Sequence, residues 1–181
     1  MHLSFPLRSA FIALPLEGQS KWHFQSLQHT LRDFNDILCF QNPQTPHLTL
    51  QYWRELMEIE YQSVLDQAGI LASKTSRFTM HITGADTFGT HGQERVLFLQ
   101  IAFCEELAHL RKACPWVAGT PFHPHITLAR IRHSQRFAVQ KKCIMKSLQD
   151  CSYDIVCDRL RLYAEMHSVA QTPLADFVFG T

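Results

Sequence analysis

Two segments decide how this chain folds: PHLTL at residues 46–50 and PHITL at residues 124–128. Leucine, isoleucine and threonine favour strands, and in both segments apolar residues alternate with polar ones. Because successive side chains of a strand point to opposite faces, the His and Thr of each segment share one face and the aliphatic residues share the other. The sequence therefore predicts two strands that each bury an aliphatic face and present one imidazole and one hydroxyl.

The agreement over five positions carries more weight than the His-x-Thr spacing alone. That spacing occurs a third time at His81 and Thr83, but there Met80 and Gly84 stand where the other two copies have Pro and Leu. We interpret His81 as an ordinary strand residue. A single His/Thr pair is better explained by strand propensity and local hydrogen bonding, whereas two matched segments favour one shared site. The residues of this site are His47, Thr49, His125 and Thr127.

Composition limits the class of protein. The chain has 181 residues, of which 46% are hydrophobic and 18% charged, and its formal net charge is +1. This near-neutral charge gives no general attraction to long nucleic acids. A small anion or the end of an RNA is still a suitable ligand. The apolar run at 11–14 is too short for a signal peptide, and no stretch is long enough to span a bilayer. We expect a cytoplasmic, monomeric protein with no membrane partner.

The six cysteines form no Cys-x-x-Cys pair, so neither a zinc ribbon nor a redox motif is indicated. Periodicity predicts helices at 19–34, 59–71, 105–114 and 134–148. It predicts strands, besides the two motif strands, at 8–14, 77–83, 95–103, 155–165 and 177–179. Loops that contain proline, at 42–46 and 119–121, lead into the motif strands.

Each motif strand thus follows a helix and precedes another helix. We expect a single domain over residues 1–181, made of two interleaved lobes that each carry one His-x-Thr motif. The predicted fold class is α+β, a bilobal, pseudo-two-fold duplication in which antiparallel sheets face a central cleft and helices lie outside.

Two His/Thr pairs around one pocket suit the cleavage of a cyclic phosphodiester. In-line attack needs a base on the incoming water and an acid on the departing oxygen, and imidazole can serve as either near pH 7. Each well-placed proton-transfer group is worth roughly 10²- to 10⁴-fold in rate. Threonine hydroxyls can donate hydrogen bonds to the non-bridging oxygens, where charge grows in the transition state. This arrangement requires neither a metal nor a cofactor.

The block FHPHITLAR at 122–130, with FIAL at 11–14 and LRLY at 160–163, resembles the 2H phosphoesterase superfamily. The likeness is to its RNA 2′,3′-cyclic phosphodiesterases, also called 2′-5′ RNA ligases. The resemblance implies hydrolysis of 2′,3′-cyclic phosphate to 2′-phosphate on RNA 3′ ends, tRNA halves or small cyclic nucleotides, with reversible 2′-5′ ligation in some members. It also implies that His47 protonates the leaving 3′ oxygen, that His125 activates water, and that Thr49 and Thr127 bind the phosphate.

Three further residues are candidates for substrate binding. Arg130 and Phe11 match family positions near the nucleotide, although Phe11 equally suits plain core packing. Simple alternation puts Arg130 on the face opposite to His125, so it reaches the cleft only if the strand bends or ends there. His123 lies two residues before His125 and would share its strand face. It either helps to bind the anion or is a solvated residue.

The chain departs from the family pattern after the first motif. Relatives usually have aromatic-Leu-Gly-Glu there, whereas this chain has YWRE at 52–55. Because Gly often serves a conformation that other residues resist, we expect a reshaped loop, with Trp53 and Arg54 altering the rim of the cleft. A basic run follows the second motif and either tracks an RNA backbone or forms a solvated helix face. Its members are Arg130, Arg132, His133, Arg136, Lys141 and Lys142.

Three alternative functions also fit the sequence. The same site could serve mainly 2′-5′ ligation or hydrolysis of ADP-ribose cyclic phosphate. The cleft could also hold a nucleotide or RNA 2′-phosphate without turnover, as a non-catalytic binding module. Lastly, His123 and His125 could bind a metal together with another histidine, although the leading hypothesis assigns no metal.

Overall fold

The computed structural model describes residues 3–116 and 121–180, and within them the chain forms two antiparallel sheets and four α-helices. The helices are α1 (Gly18–Thr30), α2 (Glu58–Ser73), α3 (Glu105–Ala113) and α4 (Ser134–Ser147). The strands are β1 (Leu7–Pro15), β2 (Leu38–Phe40), β3 (His47–Leu56), β4 (Phe78–Phe88), β5 (Val96–Ile101), β6 (His125–Ile131), β7 (Tyr153–Cys157), β8 (Arg159–Met166) and β9 (Val169–Val178).

Each sheet contains one motif strand. The first sheet has the order β3-β1-β8-β9 and the second has the order β2-β6-β5-β4-β7. The chain crosses between them, because β2 joins the second sheet while β8 and β9 return to the first. The predicted α+β class with antiparallel sheets is therefore confirmed. Among the described residues, no helix is both long and apolar enough to cross a membrane.

The aliphatic side chains of the motif strands anchor the core. Leu48, Leu50, Ile126 and Leu128 are all buried, as the alternation predicts, and belong to one hydrophobic cluster that contains residues of both sheets. Burying such a side chain stabilises the fold by roughly 1.5–3 kcal/mol, which holds the opposite, polar face of each strand in place. The core thus presents the His/Thr faces outward.

Two predicted elements are divided in the structure. The helix predicted over 19–34 ends at Thr30, and a 3₁₀ turn, Arg32–Phe34, follows it. The strand predicted over 155–165 is interrupted at Asp158, where the chain passes from the second sheet to the first. The backbone carbonyl of Asp158 accepts a hydrogen bond from the N–H of Phe179 at 2.8 Å, so the crossing is tied to the last residues of the chain. Of the predicted loop at 119–121, residues 119 and 120 lie outside the described residues.

Candidate active site

The two motif strands bring His47, Thr49, His125 and Thr127 to one cleft of about 740 Å³. Strand β3 supplies the first pair and β6 the second, and these two strands contact each other although they belong to different sheets. Since the aliphatic residues between them point into the core, both polar faces open toward the same space. One pocket therefore contains the imidazole and the threonine hydroxyl of both motifs.

Both imidazoles are oriented in the same way. Nδ1 of His47 donates to the backbone carbonyl of Thr45 at 2.6 Å, and Nδ1 of His125 donates to that of His123 at 2.7 Å. A carbonyl oxygen can only accept, so Nδ1 carries the proton in each ring. Nε2 is then the ring nitrogen that can exchange a proton with a ligand. The residues two positions before each motif histidine thus fix its tautomer through their backbone.

His47 lies in an aromatic environment. Its ring stacks on Phe11, with centroids 4.6 Å apart, and lies 5.5 Å from the ring of Tyr163. Burial lowers the pKa of His47 to about 4, the hydrogen bond to the Thr45 carbonyl opposes this shift, and the charge of His125 lowers the pKa further. With this pKa, His47 is neutral at pH 7.

His125 has aromatic neighbours in a different geometry. Phe88 meets it edge-on at 4.8 Å, and Phe98 lies 5.6 Å away at a similarly steep angle. Phe88 and Phe98 stack on each other at 4.0 Å. The two imidazoles thus share the orienting carbonyl but differ in how the aromatic rings cover them.

Each motif strand carries a β-bulge at the leucine after its threonine. In β6 the register against β5 runs from Leu97 opposite Ala129 to Phe98 opposite Thr127, so Leu128 is the extra residue. In β3 the register against β1 runs from Ile12 opposite Gln51 to Ala13 opposite Thr49, so Leu50 is the extra residue. A bulge adds one residue to one strand. Every side chain beyond it therefore points to the opposite face from the one that simple alternation predicts.

This parity shift brings Arg130 to the cleft. Alternation alone would place it opposite to Thr127, but past the bulge it pairs with Val96, and both line the same cleft as His125. The bulge in β3 does the same for Tyr52, which pairs with Phe11 and also lines the cleft. Tyr52 and Arg130 are thus equivalent positions of the two strands, each five residues after its motif histidine.

Of the other two candidates for substrate binding, Phe11 borders the cleft and the side chain of His123 does not line it. Phe11 borders the cleft but is buried, 6% exposed, between His47 and Tyr163, so it packs against the imidazole and offers little free ring surface. The side chain of His123 is exposed and is not one of the described side chains that line the cleft. Its contact with the site is the backbone carbonyl that orients His125.

The expectation of a reshaped loop after the first motif is wrong, because residues 52–55 continue β3 to Leu56. Trp53 packs against the core and meets Trp116 edge-on at 5.8 Å, so it faces away from the cleft rim. Neither Trp53 nor Arg54 belongs to the described residues that line the cleft. Trp favours a strand conformation and Gly weakens one, so YWRE at 52–55 fits the continued strand.

The third His-x-Thr copy lies elsewhere, as expected. Nδ1 of His81 contacts the Asp154 carboxylate at 2.7 Å, and its Nε2 lies 3.2 Å from the Ser152 hydroxyl, all at the exposed edge formed by β4 and β7. Of the basic run, Arg136 forms an exposed ion pair with Asp36, and Lys141 forms an ion pair with the buried carboxylate of Glu94, so part of the run is engaged in ion pairs.

Metal binding finds no support in the side chains of the described residues, where no group of three or more His, Cys, Asp or Glu could hold an ion.

A second cavity, of about 640 Å³, lies between α2 and α3 and is lined by Lys74, Arg77 and His109 among others. It contains none of the four motif residues, so its size does not make it the site of this chemistry.

Several residues of the cleft were not predicted from the sequence. Tyr52 is half exposed and offers the free aromatic face that Phe11 does not. Arg95 adds a second guanidinium near Arg130, and Gln171 enters from β9, where its amide oxygen accepts the Thr45 hydroxyl at 2.7 Å. Only Tyr52 had a signal in the sequence, its position five residues after His47; Arg95 and Gln171 come from parts of the chain without a motif.

An α+β fold whose two His-x-Thr strands line one cleft is the arrangement of a 2H phosphoesterase. Within that class, the chain belongs to the 2′-5′ RNA ligase superfamily, whose family model matches residues 16–164. The chain is thus a member of a phosphoesterase superfamily. No curated protein matches it in sequence.

Several solved structures share the fold. LigT of E. coli in its apo form is 20% identical, with a TM-score of 0.74, and the match covers 98% of this chain and 100% of that one. TT0787 of Thermus thermophilus is also 20% identical, with a TM-score of 0.72 over 94% of this chain and 97% of that one. Usb1 of Kluyveromyces marxianus is 10% identical, with a TM-score of 0.55 over 96% of this chain and 99% of that one.

Proposed function

We propose that this protein hydrolyses 2′,3′-cyclic phosphate ends of RNA or nucleotides to 2′-phosphates, by acid–base catalysis with His47 and His125. One observation carries the proposal: both imidazoles border one cleft, each with Nδ1 held by a backbone carbonyl. Two rings with available Nε2 atoms around one pocket match the base and the acid that in-line displacement at phosphorus needs.

In the proposed reaction one imidazole takes a proton from a water molecule as the water oxygen forms a bond to phosphorus. The bond between phosphorus and the 3′ oxygen breaks, and the other imidazole gives its proton to that oxygen. The product carries a 2′-phosphate and a free 3′-hydroxyl. Each ring ends in the protonation state that the other began with, so proton exchange with solvent restores the pair.

The threonines supply the remaining polar contacts in this proposal. Thr49 and Thr127 sit two residues after the histidines on the same strand faces and border the same cleft. Because Thr is β-branched, its χ1 angle is restricted in a strand, so the hydroxyl is held stiffly toward the non-bridging oxygens. The guanidinium of Arg130 adds a fixed positive charge for the anionic substrate.

The direction of proton transfer is open to test. The resemblance implies that His47 is the acid and His125 the base, but a pKa of about 4 leaves His47 neutral at pH 7. A neutral ring is ready to accept a proton, so we favour His47 as the base and His125 as the acid. The reverse direction requires that the bound phosphate anion first raise the pKa of His47.

An activated substrate distinguishes these directions. A nitrophenyl phosphodiester has a leaving group that departs without protonation, so loss of the acid costs little on it, whereas loss of the base still matters. We expect His125→Ala to retain far more activity than His47→Ala on the nitrophenyl substrate. Recovery of His47→Ala instead would restore the direction that the resemblance implies.

Nucleotide-sized ligands are supported by relatives. E. coli LigT has been crystallised with 3′-AMP, with ATP, with NADP+ and with phosphate. Here the cleft volume of about 740 Å³ lies within the usual range of small-molecule pockets, roughly 300–1,000 Å³. RNA 3′ ends, tRNA halves with a cyclic phosphate and small cyclic nucleotides are the substrates we propose, with reversible 2′-5′ ligation as a second reaction of the same site.

A substrate panel tests the proposal. One preparation is incubated with the four 2′,3′-cyclic nucleotides, cyclic-ended oligonucleotides, ADP-ribose cyclic phosphate and a pair of tRNA halves, and the products are separated by chromatography. We expect conversion to 2′-phosphates rather than 3′-phosphates, because the 3′ oxygen is the proposed leaving group. Tight binding of a 2′-phosphate product with no turnover of any substrate would instead indicate a non-catalytic binding module.

A further inference from the structure

Each bulged leucine has its backbone carbonyl held by a side chain from a helix. The extra residue of a bulge has no opposite residue on the strand across the bulge, so its backbone polar groups are bonded elsewhere. Within β6 the carbonyl of Leu128 accepts from Nε2 of Gln28 at 3.1 Å and from the backbone N–H of Gln41 at 3.0 Å. Within β3 the carbonyl of Leu50 accepts from Nη1 of Arg111 at 2.8 Å.

Gln28 is a buried polar side chain, 7% exposed, on the inner face of α1. Its amide nitrogen donates both to Leu128 and, at 2.9 Å, to the carbonyl of Gln41. These two carbonyls belong to the bulge of β6 and to the residue after β2, so one amide group connects neighbouring strands at the point where the parity changes. Removing it leaves the Gln41 carbonyl without this donor in a part-buried position, which is costly.

Arg111 occupies the corresponding place in the other half of the molecule. It lies in α3, directs Nη1 to the Leu50 carbonyl, and stacks its guanidinium 4.6 Å from the ring centre of Phe122. No carboxylate within the described residues forms an ion pair with it. A guanidinium that is held by a carbonyl and an aromatic ring serves the backbone geometry rather than charge pairing.

We propose that Gln28 and Arg111 are positioning residues: by holding the bulged leucines, Leu128 and Leu50, they keep Arg130 and Tyr52 in the cleft. The inference rests on the proposed function, because that function gives the cleft its substrate. A strand that loses its bulge regains plain alternation, and a shift by one residue moves every following side chain to the other face. Arg130 and Tyr52 would then leave the cleft, while the four motif residues, which precede the bulges, would remain.

The two motif strands therefore offer the substrate two different contacts. Equivalent positions of the two strands carry a cation on one side and a half-exposed aromatic ring on the other. A guanidinium suits a phosphate, and a phenol ring suits the face of a base. Gln28 therefore acts through Arg130 on phosphate contacts, and Arg111 acts through Tyr52 on base contacts.

A double-mutant cycle tests the role of Gln28. A hydrogen bond to a charged group is typically worth about ten- to a hundredfold in an equilibrium or rate, so we expect Arg130→Met to lower kcat/KM on a cyclic-ended dinucleotide by that factor. Gln28→Met should lower it about tenfold alone and add nothing in the Arg130→Met background. An equal loss in both backgrounds would show that Gln28 affects stability only, and would overturn the proposal.

The chain offers matched controls. Gln25, on the same helix, donates its Nε2 to the Pro43 carbonyl at 2.9 Å at an exposed site, so Gln25→Met removes a similar bond away from the bulge. It should leave kcat/KM unchanged. Arg111→Met is paired in the same way with Tyr52→Leu, and Lys112→Met, the next residue of α3, is its control. If Gln28→Met does not fold, Gln28→Asn keeps the amide but withdraws it by one methylene.

Crystal structures of the variants separate this inference from the proposed function. In Gln28→Met or Gln28→Asn we expect the bulge at Leu128 to be lost or displaced and Arg130 to leave the cleft, with Gln25→Met unchanged. An intact bulge with Arg130 still in the cleft would overturn the inference whatever the kinetics. If the unmodified protein hydrolyses none of the cyclic substrates, the proposed function fails, and this comparison of strand register still decides the role of Gln28.

Discussion

The burial of His47 makes the stability of the fold depend on pH in a calculable way. Its pKa falls from 6.5 to about 4 on folding, because Phe11 and Tyr163 cover the ring. Below pH 6.5 the unfolded chain binds a proton at this residue that the folded chain does not bind until about pH 4. The free energy of unfolding therefore falls as the pH drops through this window, and His47 contributes no slope above it.

The magnitude follows from the difference in pKa between the two states. Each pKa unit corresponds to about 1.4 kcal/mol, so the full contribution of His47 is at most about 3 kcal/mol, of which about 2 kcal/mol is already lost at pH 5. His47→Gln keeps a polar side chain but cannot titrate. Relative to the unmodified protein, this variant should therefore gain about 2 kcal/mol between pH 7.5 and pH 5.

Urea unfolding at a series of pH values measures this difference directly. Comparing two proteins at each pH cancels the titrating groups that do not interact with His47. His133→Gln is the control, since it removes an exposed imidazole that lies outside the cleft. Parallel stability profiles for the unmodified protein and His47→Gln would refute the claim that the fold desolvates His47.

Three further predictions concern activity. Phe11→Ala should hydrate His47 and raise its pKa, so the acid limb of the pH profile of kcat/KM should move up from near pH 4 toward 6.5; an unmoved limb would contradict this cause. Thr49→Val and Thr127→Val should each lower kcat by roughly 10²- to 10³-fold with little change in unfolding, since each removes one donor to the transition state; rates within about twofold of the unmodified protein would argue against that contact. Activity should persist in EDTA after dialysis, and its loss, restored by a divalent ion, would point to the metalloprotein alternative.

Much of the fold could be predicted because its elements have regular periods. The burial of Leu48 and Ile126 behind the motif histidines follows from alternation, and the four helices follow from apolar spacing. Strand β2 escaped prediction because three residues are too few to show a period. The break at Asp158 also escaped, because the residues on both sides favour strands and only the tertiary structure assigns them to different sheets.

In the candidate site too, residues on regular strands could be predicted, and residues beyond an irregular stretch of backbone could not. The four motif residues are found by repetition, whereas Arg130 and Tyr52 depend on bulges that a period of two does not contain. Arg130 could be expected in the cleft only if the strand bends. The bulge at Leu128 provides that bend. Arg95 and Gln171 have no counterpart in the motifs, since they reach the cleft by the packing of other parts of the chain.

The central claim is that the two motif histidines act together on one phosphorus atom. The direct measurement is the rate of conversion of a 2′,3′-cyclic nucleotide to its 2′-phosphate by the unmodified protein, His47→Ala, His125→Ala and His81→Ala, each checked for folding. We expect losses of roughly 10²-fold or more for the first two variants and an unchanged rate for His81→Ala. Turnover by either motif variant at the rate of the unmodified protein would contradict the account.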